Sequence, residues 1–196
     1  MMDIRKFAAS KITGPLIPFL SKTGLTPDIL TWTGLFVIII AAAMVATNYL
    51  LIGGLLVLLS GLFDILDGAL ARFTKKITRF GALLDSTFDR LSEALLLIGI
   101  LILYINGEHA LEILLIFVVM TGSFLISYIR ARAEGLGIEC QTGLFTRAER
   151  VIILALGLMI NQIVITLIIL AVFTFVTVVQ RLVHAWQQLR KQGPNN

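Results

Sequence analysis

Four aspartates carry the chemistry this sequence offers. Asp64 and Asp67 stand three residues apart, with Gly68, Ala71 and Arg72 following; Asp85 and Asp89 stand four apart, with Gly81 before them. Residues three or four apart share a helix face. The turn between the two segments falls near Lys75–Ile77, about eight residues after Asp67 and eight before Asp85. At a rise of about 1.5 Å per residue, both lie roughly 12 Å from the turn. Asp64 and Asp89 sit deeper and again level. An antiparallel hairpin therefore opposes two carboxylate pairs. Gly68, Ala71 and Gly81 lack bulk, so the spacing predicts close approach of the two helices and of a ligand.

Four like charges that close cannot all ionise unaided. Carboxylate oxygens suit Mg²⁺ or Mn²⁺, and two such ions clamp a phosphoryl group during in-line displacement. The residues thus point to metal-assisted phosphoryl transfer with two ions. Two other readings stand beside it. One is structural pairing of the aspartates with Arg72, Arg79 and Arg90. The other is an ion or proton transporter, which would need mid-membrane polar residues on several helices or paired broken helices.

The elements that position these residues belong in lipid. Of 196 residues, 58% are hydrophobic and 14% charged, with a mean hydropathy of +0.95. A soluble domain runs at roughly 45–50% apolar and about 25% charged. Ile29 to Phe63 contains no charge, and one span needs only about 20 apolar residues. We place helices at about 29–47 and 51–73, with Asn48 and Gly53-Gly54 marking the turn. Others fall at about 79–104, 109–133, 146–160 and 163–188. The fold expected is all-α, a polytopic membrane protein with six transmembrane helices, read as a single domain over 1–196 with its bundle at 26–189. Residues 1–25 alternate apolar side chains with Lys and Ser, which fits an amphipathic interfacial helix. Thr26-Pro27 reads as an N-cap and a first helical residue.

Charge sets the orientation. The connections near 48–50, 105–108 and 161–162 contain no Lys or Arg. The opposite side carries Arg5, Lys6, Lys11, Lys22, Lys75, Lys76, Arg79, Arg130, Arg132, Arg147, Arg150, Arg190 and Lys191. The positive-inside rule then makes both termini and the aspartates cytoplasmic, in a multi-pass protein of the cell membrane. The net charge of +4 suits anionic lipid and phosphate; no nucleic-acid partner is expected. Met1 to Lys22 lacks an unbroken apolar core before a cleavage site, so no signal peptide is expected. Cys140 alone forms no internal disulfide, and His109 and His184 take no assigned role.

The aspartate segment resembles the CDP-alcohol phosphotransferases. Residues 64–89 read D-x-x-D-G-x-x-A-R, eight residues, G-x-x-x-D-x-x-x-D, without departure from that family's signature. The resemblance implies Asp64, Asp67, Asp85 and Asp89 as ligands of Mg²⁺ or Mn²⁺, with Asp89 also the general base. It implies Gly68 and Arg72 facing a CDP-linked lipid donor. An alcohol would attack the lipid-proximal phosphorus and CMP would leave.

The acceptor must be chosen by the rest of the chain. Arg130, Arg132, Arg147, Arg150 and Arg181 come to the aspartate side from three helices, and all are Arg where anchoring would accept Lys. Arg offers bidentate recognition of phosphate, which favours a phosphorylated acceptor. Gly24–Thr31, Ser127–Gly135, Arg147-Ala-Glu-Arg150 and Gln180-Arg181 look like the phosphatidylinositol-phosphate synthases of bacteria and archaea. That resemblance implies inositol 1-phosphate as acceptor, held by Arg132, Arg150 and Arg181 with Arg130. It also implies Asp28, Thr31 and Thr78 at the donor and a homodimer. A phosphatidylglycerophosphate synthase, using glycerol 3-phosphate, is the alternative.

Overall fold

A computed structural model describes residues 16–140 and 142–192. Residues 16–22 are helical. Six helices follow: α1 (Pro27–Ala46), α2 (Leu50–Phe73), α3 (Arg79–Tyr104), α4 (Ala110–Gly135), α5 (Arg147–Met159) and α6 (Ile163–Gln192). There is no strand among the described residues. Most of the expected interfacial helix lies outside those residues. Of its remainder, Ile17 is buried against a cluster containing Leu30, Leu66 and Leu70.

The helix ends follow from local sequence. Asn48 and Asn161 adopt φ of 67° and 55°, a left-handed conformation that Asn tolerates better than most residues. Each closes a Schellman motif. Tyr49 N donates to Met44 O at 2.8 Å after α1, and Gln162 N to Gly157 O at 2.8 Å after α5. Lys75, with φ 53°, ends α2 the same way, Lys76 N donating to Ala71 O at 3.0 Å. Thr26 is the N-cap of α1, but its side chain makes no capping bond; Pro27 supplies the start. Thr146 and Glu149 form a capping box at α5, in which Thr146 N donates to Glu149 Oε2 at 2.8 Å.

The helices close into a ring. α1 packs on α2 and on α3, α2 on α5, α5 on α6, α6 on α4, and α4 on α3. One apolar core, including Ile38, Val57, Leu97, Val119, Leu158 and Leu167, draws a residue from each of the six. α1, α2, α4 and α6 are long and apolar enough to cross a membrane. α3 is as long as α4 but carries Asp85, Asp89, Arg90 and Glu93 among its first fifteen residues. α5 has 13 residues, about 20 Å at 1.5 Å per residue.

Two expectations need correction. The second and third helices do not pack face to face; α1 lies against both. A Cβ on Gly68 would meet only the Arg72 guanidinium, and one on Gly81 only the Thr78 hydroxyl. Small residues there leave space rather than admit a neighbouring helix. Nor do Gly53 and Gly54 mark a turn, since both lie inside α2. A Cβ on Gly53 would stand 2.5 Å from Val45 Cγ2, and one on Gly54 2.7 Å from Ala155 O. They admit α1 and α5.

The tightest approach of α1 to α3 is at Gly99, where a Cβ would fall 2.5 Å from Ala42 O. Gly99→Ala should therefore lower stability by about 1–3 kcal/mol, as overpacking of a rigid contact does. Gly61→Ala, whose Cβ meets nothing within 4 Å, should not. Thermal unfolding in detergent compares the two; equal melting temperatures would show that the ring does not close there.

Candidate active site

At the end of the ring where α2 finishes and α3 and α5 begin, the core gives way to a cavity of about 1070 Å³. Its wall takes Asp64 from α2, Asp85, Asp89 and Glu93 from α3, Arg130 from α4, Arg147 and Arg150 from α5, and Arg181 from α6. Arg90 from α3 and Glu134 from α4 line it too, so acids from three helices meet arginines from four.

One oxygen each of Asp64, Asp67 and Asp85 lie within 4.8 Å of one another. Asp67 is only 5% exposed, and its Oδ2 accepts a hydrogen bond from Thr31 Oγ1 at 2.7 Å. The bond anchors the cluster to α1. The Trp32 ring of α1 meets Phe88 of α3 edge-on, 4.7 Å between centroids. α1 therefore braces both aspartate helices although they do not touch face to face. The donor set of three carboxylate oxygens, close and from two helices, fits a hard divalent cation.

Asp89 stands apart from that triad. Its Oδ1 lies 2.6 Å from Arg147 Nη1, and the same nitrogen donates to Asp64 Oδ2 at 2.7 Å. Asp64 and Asp89 are level, as the spacing required, but a guanidinium joins them. Arg147 Nε is buried without a hydrogen-bond partner. Arg90 Nη1 is farther, 3.8 Å from Asp89 Oδ2. The pairing expected from Arg72 and Arg79 does not occur among the described residues; both are exposed.

The arginines differ in what they have left to offer. Arg150 is 3% exposed and Glu93 9%. They form a bidentate pair, Nε to Oε1 at 2.7 Å and Nη2 to Oε2 at 2.8 Å, and Ser123 Oγ donates to Glu93 Oε1 at 2.8 Å. Arg181 is 5% exposed; its Nε donates to Thr142 O at 3.0 Å and its Nη1 to Ile126 O at 2.6 Å. Arg130 is exposed and paired with Glu134 at 2.8 Å. Arg132 is exposed and does not line the cavity.

Asp28, Thr31, Gly68, Arg72 and Thr78 lie outside the cavity, on α1, α2 and the start of α3. Thr78 is the N-cap of α3, its hydroxyl accepting from Gly81 N at 2.9 Å. Of these five, Thr31 touches the triad, through Asp67. Sequence reasoning missed Glu93 and the place of Arg147. A lone acid in an apolar helix was the available signal for Glu93; Arg147 looked like one more basic residue at a helix start.

Residues 24–185 match the family described as CDP-alcohol phosphatidyltransferase. The archaetidylinositol phosphate synthase of Methanothermobacter thermautotrophicus is 37% identical, over 88% of this chain and 89% of that protein. The crystal structure of Mycobacterium tuberculosis phosphatidylinositol phosphate synthase with CDP-DAG bound superposes with a TM-score of 0.81 at 34% identity, covering 90% of this chain and 94% of that one. The same enzyme in complex with manganese and citrate gives 0.80, again at 34% identity, over 89% and 88%.

Removing one member of a buried ion pair strands the other, at a cost of about 3–5 kcal/mol, whereas replacing both by apolar groups is often neutral. Glu93→Ala should destabilise the protein by that order, and Glu93→Leu with Arg150→Met should recover most of the loss. Thermal unfolding of the three proteins tests this; an additive double variant would mean that the pair is not coupled.

Proposed function

The chain belongs to the CDP-alcohol phosphatidyltransferase family, a family of transferases, and we propose that it moves the lipid phosphate of a CDP-linked lipid onto inositol 1-phosphate. The products are phosphatidylinositol phosphate, or its ether-lipid counterpart, and CMP. The observation that carries this reading is the wall of Arg130, Arg147, Arg150 and Arg181 facing the aspartate cluster across one cavity. Relatives named for inositol phosphate products, at 34–37% identity over most of the chain, support it.

Asp64, Asp67 and Asp85 hold the divalent cation, with Asp89 completing the site for a second. Mg²⁺ or Mn²⁺ there would neutralise pyrophosphate charge. The chain's own groups do the rest. Asp28, Thr31, Gly68, Arg72 and Thr78 form the donor side. Thr31 holds the Asp67 carboxylate in place. Arg130 and Arg181 receive the acceptor phosphate, with Arg150 adding charge behind them. Asp89 takes the proton of the attacking hydroxyl. A bond forms from that oxygen to the lipid-proximal phosphorus, and the bond to CMP breaks.

We place six spans in the membrane, with both termini and the cavity cytoplasmic and a homodimer as the assembly. α3 crosses because Asp85, Asp89, Arg90 and Glu93 face the cavity rather than lipid, leaving Ala94–Tyr104 uncharged. A cysteine at Gly107, in a protein whose Cys140 is replaced, should react with an impermeant thiol reagent outside intact cells; one at Lys76 should not. The reverse pattern would overturn the orientation.

The product assay uses purified protein, a CDP-lipid and a panel of acceptors. CMP release should be fastest with inositol 1-phosphate, poor with free inositol, abolished by EDTA and restored by Mg²⁺ or Mn²⁺. Arg130→Ala should raise the acceptor KM about ten-fold, the worth of one charge-assisted hydrogen bond, with little change in donor KM. Faster turnover with glycerol 3-phosphate would reassign the acceptor. Full activity in EDTA would remove the metal.

A further inference from the structure

One nitrogen of Arg147 satisfies two carboxylates on different helices, Asp64 Oδ2 at 2.7 Å and Asp89 Oδ1 at 2.6 Å. Asp64 is also a member of the three-oxygen cluster. A cation seated on that cluster and the guanidinium of Arg147 therefore draw on the same carboxylate. Both are positive, so they also repel across a short distance in a medium that screens poorly. Arg147 begins α5 and shares the cavity wall with Arg130, Arg150 and Arg181. Its Nε is buried and unpartnered, which leaves it a donor to offer elsewhere.

We propose that Arg147 is a built-in competitor for the divalent cation: its guanidinium ties Asp64 to Asp89 until a cation takes their oxygens, and is then displaced into the acceptor cavity. The proposal rests on the metal reading given above. It makes Arg147 a positioning residue with two stations. At the first it neutralises two carboxylates that would repel each other. At the second it adds a bidentate phosphate donor to the wall, so that loading of cation readies the cavity for an anionic acceptor.

The test is equilibrium binding of Mn²⁺ to the full-length protein in detergent, followed by electron paramagnetic resonance of the free ion, without either substrate. R147Q should bind Mn²⁺ about ten-fold or more tightly than wild type, as expected when a competing charge-assisted contact is removed. R90Q is the control. Arg90 lies 3.8 Å from Asp89 and also donates to Ser86 O, so its loss removes a nearby charge without removing the bridge. Its Mn²⁺ affinity should change by no more than about three-fold, as a longer and more loosely held pair implies. If R147Q does not fold, R147M takes its place. It removes the charge and both contacts while keeping an unbranched side chain of similar length, and Mn²⁺ affinity should rise as it does in R147Q. Equal affinity in wild type and whichever Arg147 variant folds would overturn the competition, as would equal tightening by R90Q. No Mn²⁺ binding by wild type would overturn the metal reading and this inference together.

Discussion

Negative charge concentrated in an apolar ring is the constraint around which the other features arrange themselves. Asp64, Asp67, Asp85, Asp89 and Glu93 all lie on α2 and α3, and all but Asp67 line the cavity. A carboxylate taken out of water needs a cation or hydrogen-bond donors to stay charged. The fold supplies them from the other helices. α1 brings Thr31 to Asp67, α4 brings Ser123 to Glu93, and α5 brings Arg147 to Asp64 and Asp89 and Arg150 to Glu93. Arg147 and Arg150 are three residues apart, so one short helix delivers both guanidinia from a single face. The capping box at Thr146 and Glu149 fixes where that helix begins, and so fixes the depth of both.

The same constraint accounts for the separation of α2 and α3. Two helices carrying facing carboxylates gain little by packing together, and a ligand must enter between acid and arginine. α1 holds them at the required spacing instead, through Thr31, through Trp32 against Phe88, and through the close contact of Ala42 with Gly99. At the opposite end of the ring nothing charged intervenes, and residues of all six helices meet in one core. Rigid packing at one end therefore supports an open cavity at the other.

Much of this was legible in the sequence, because a helix converts spacing into depth. The level of Asp64 with Asp89 followed from counting, as did the six helices from charge-free stretches broken at Asn48 and Asn161. What counting does not contain is azimuth and neighbour. Gly53-Gly54 looks like a turn until Ala155 and Val45 are seen against it. Gly68 and Gly81 look like helix-packing positions, yet a Cβ on either would meet a nearby side chain, Arg72 or Thr78, and no other helix. Whether an arginine points at an acid or at solvent depends on which helix stands beside it, and the ring order is a tertiary fact. Arg132 lies outside the cavity wall and Arg147 within it for that reason.

The arginines show how position sorts one residue type into different tasks. A guanidinium has five N–H donors in a fixed plane. Arg150 gives one edge, Nε and Nη2, to Glu93, and Arg181 gives two donors to backbone carbonyls. Such ties do not disqualify them from an anion site. A guanidinium already held by protein groups has less rotamer freedom to lose when an anion arrives, and its remaining donors point one way. Arg130 is exposed and paired with Glu134. In the function proposed above, a wall that combines held guanidinia with an exposed one discriminates through its remaining donors. A phosphate satisfies them, whereas a neutral polyol leaves charge facing a low-dielectric cavity without an anion, the kind of mismatch by which buried polar groups reject an analogue lacking their partner.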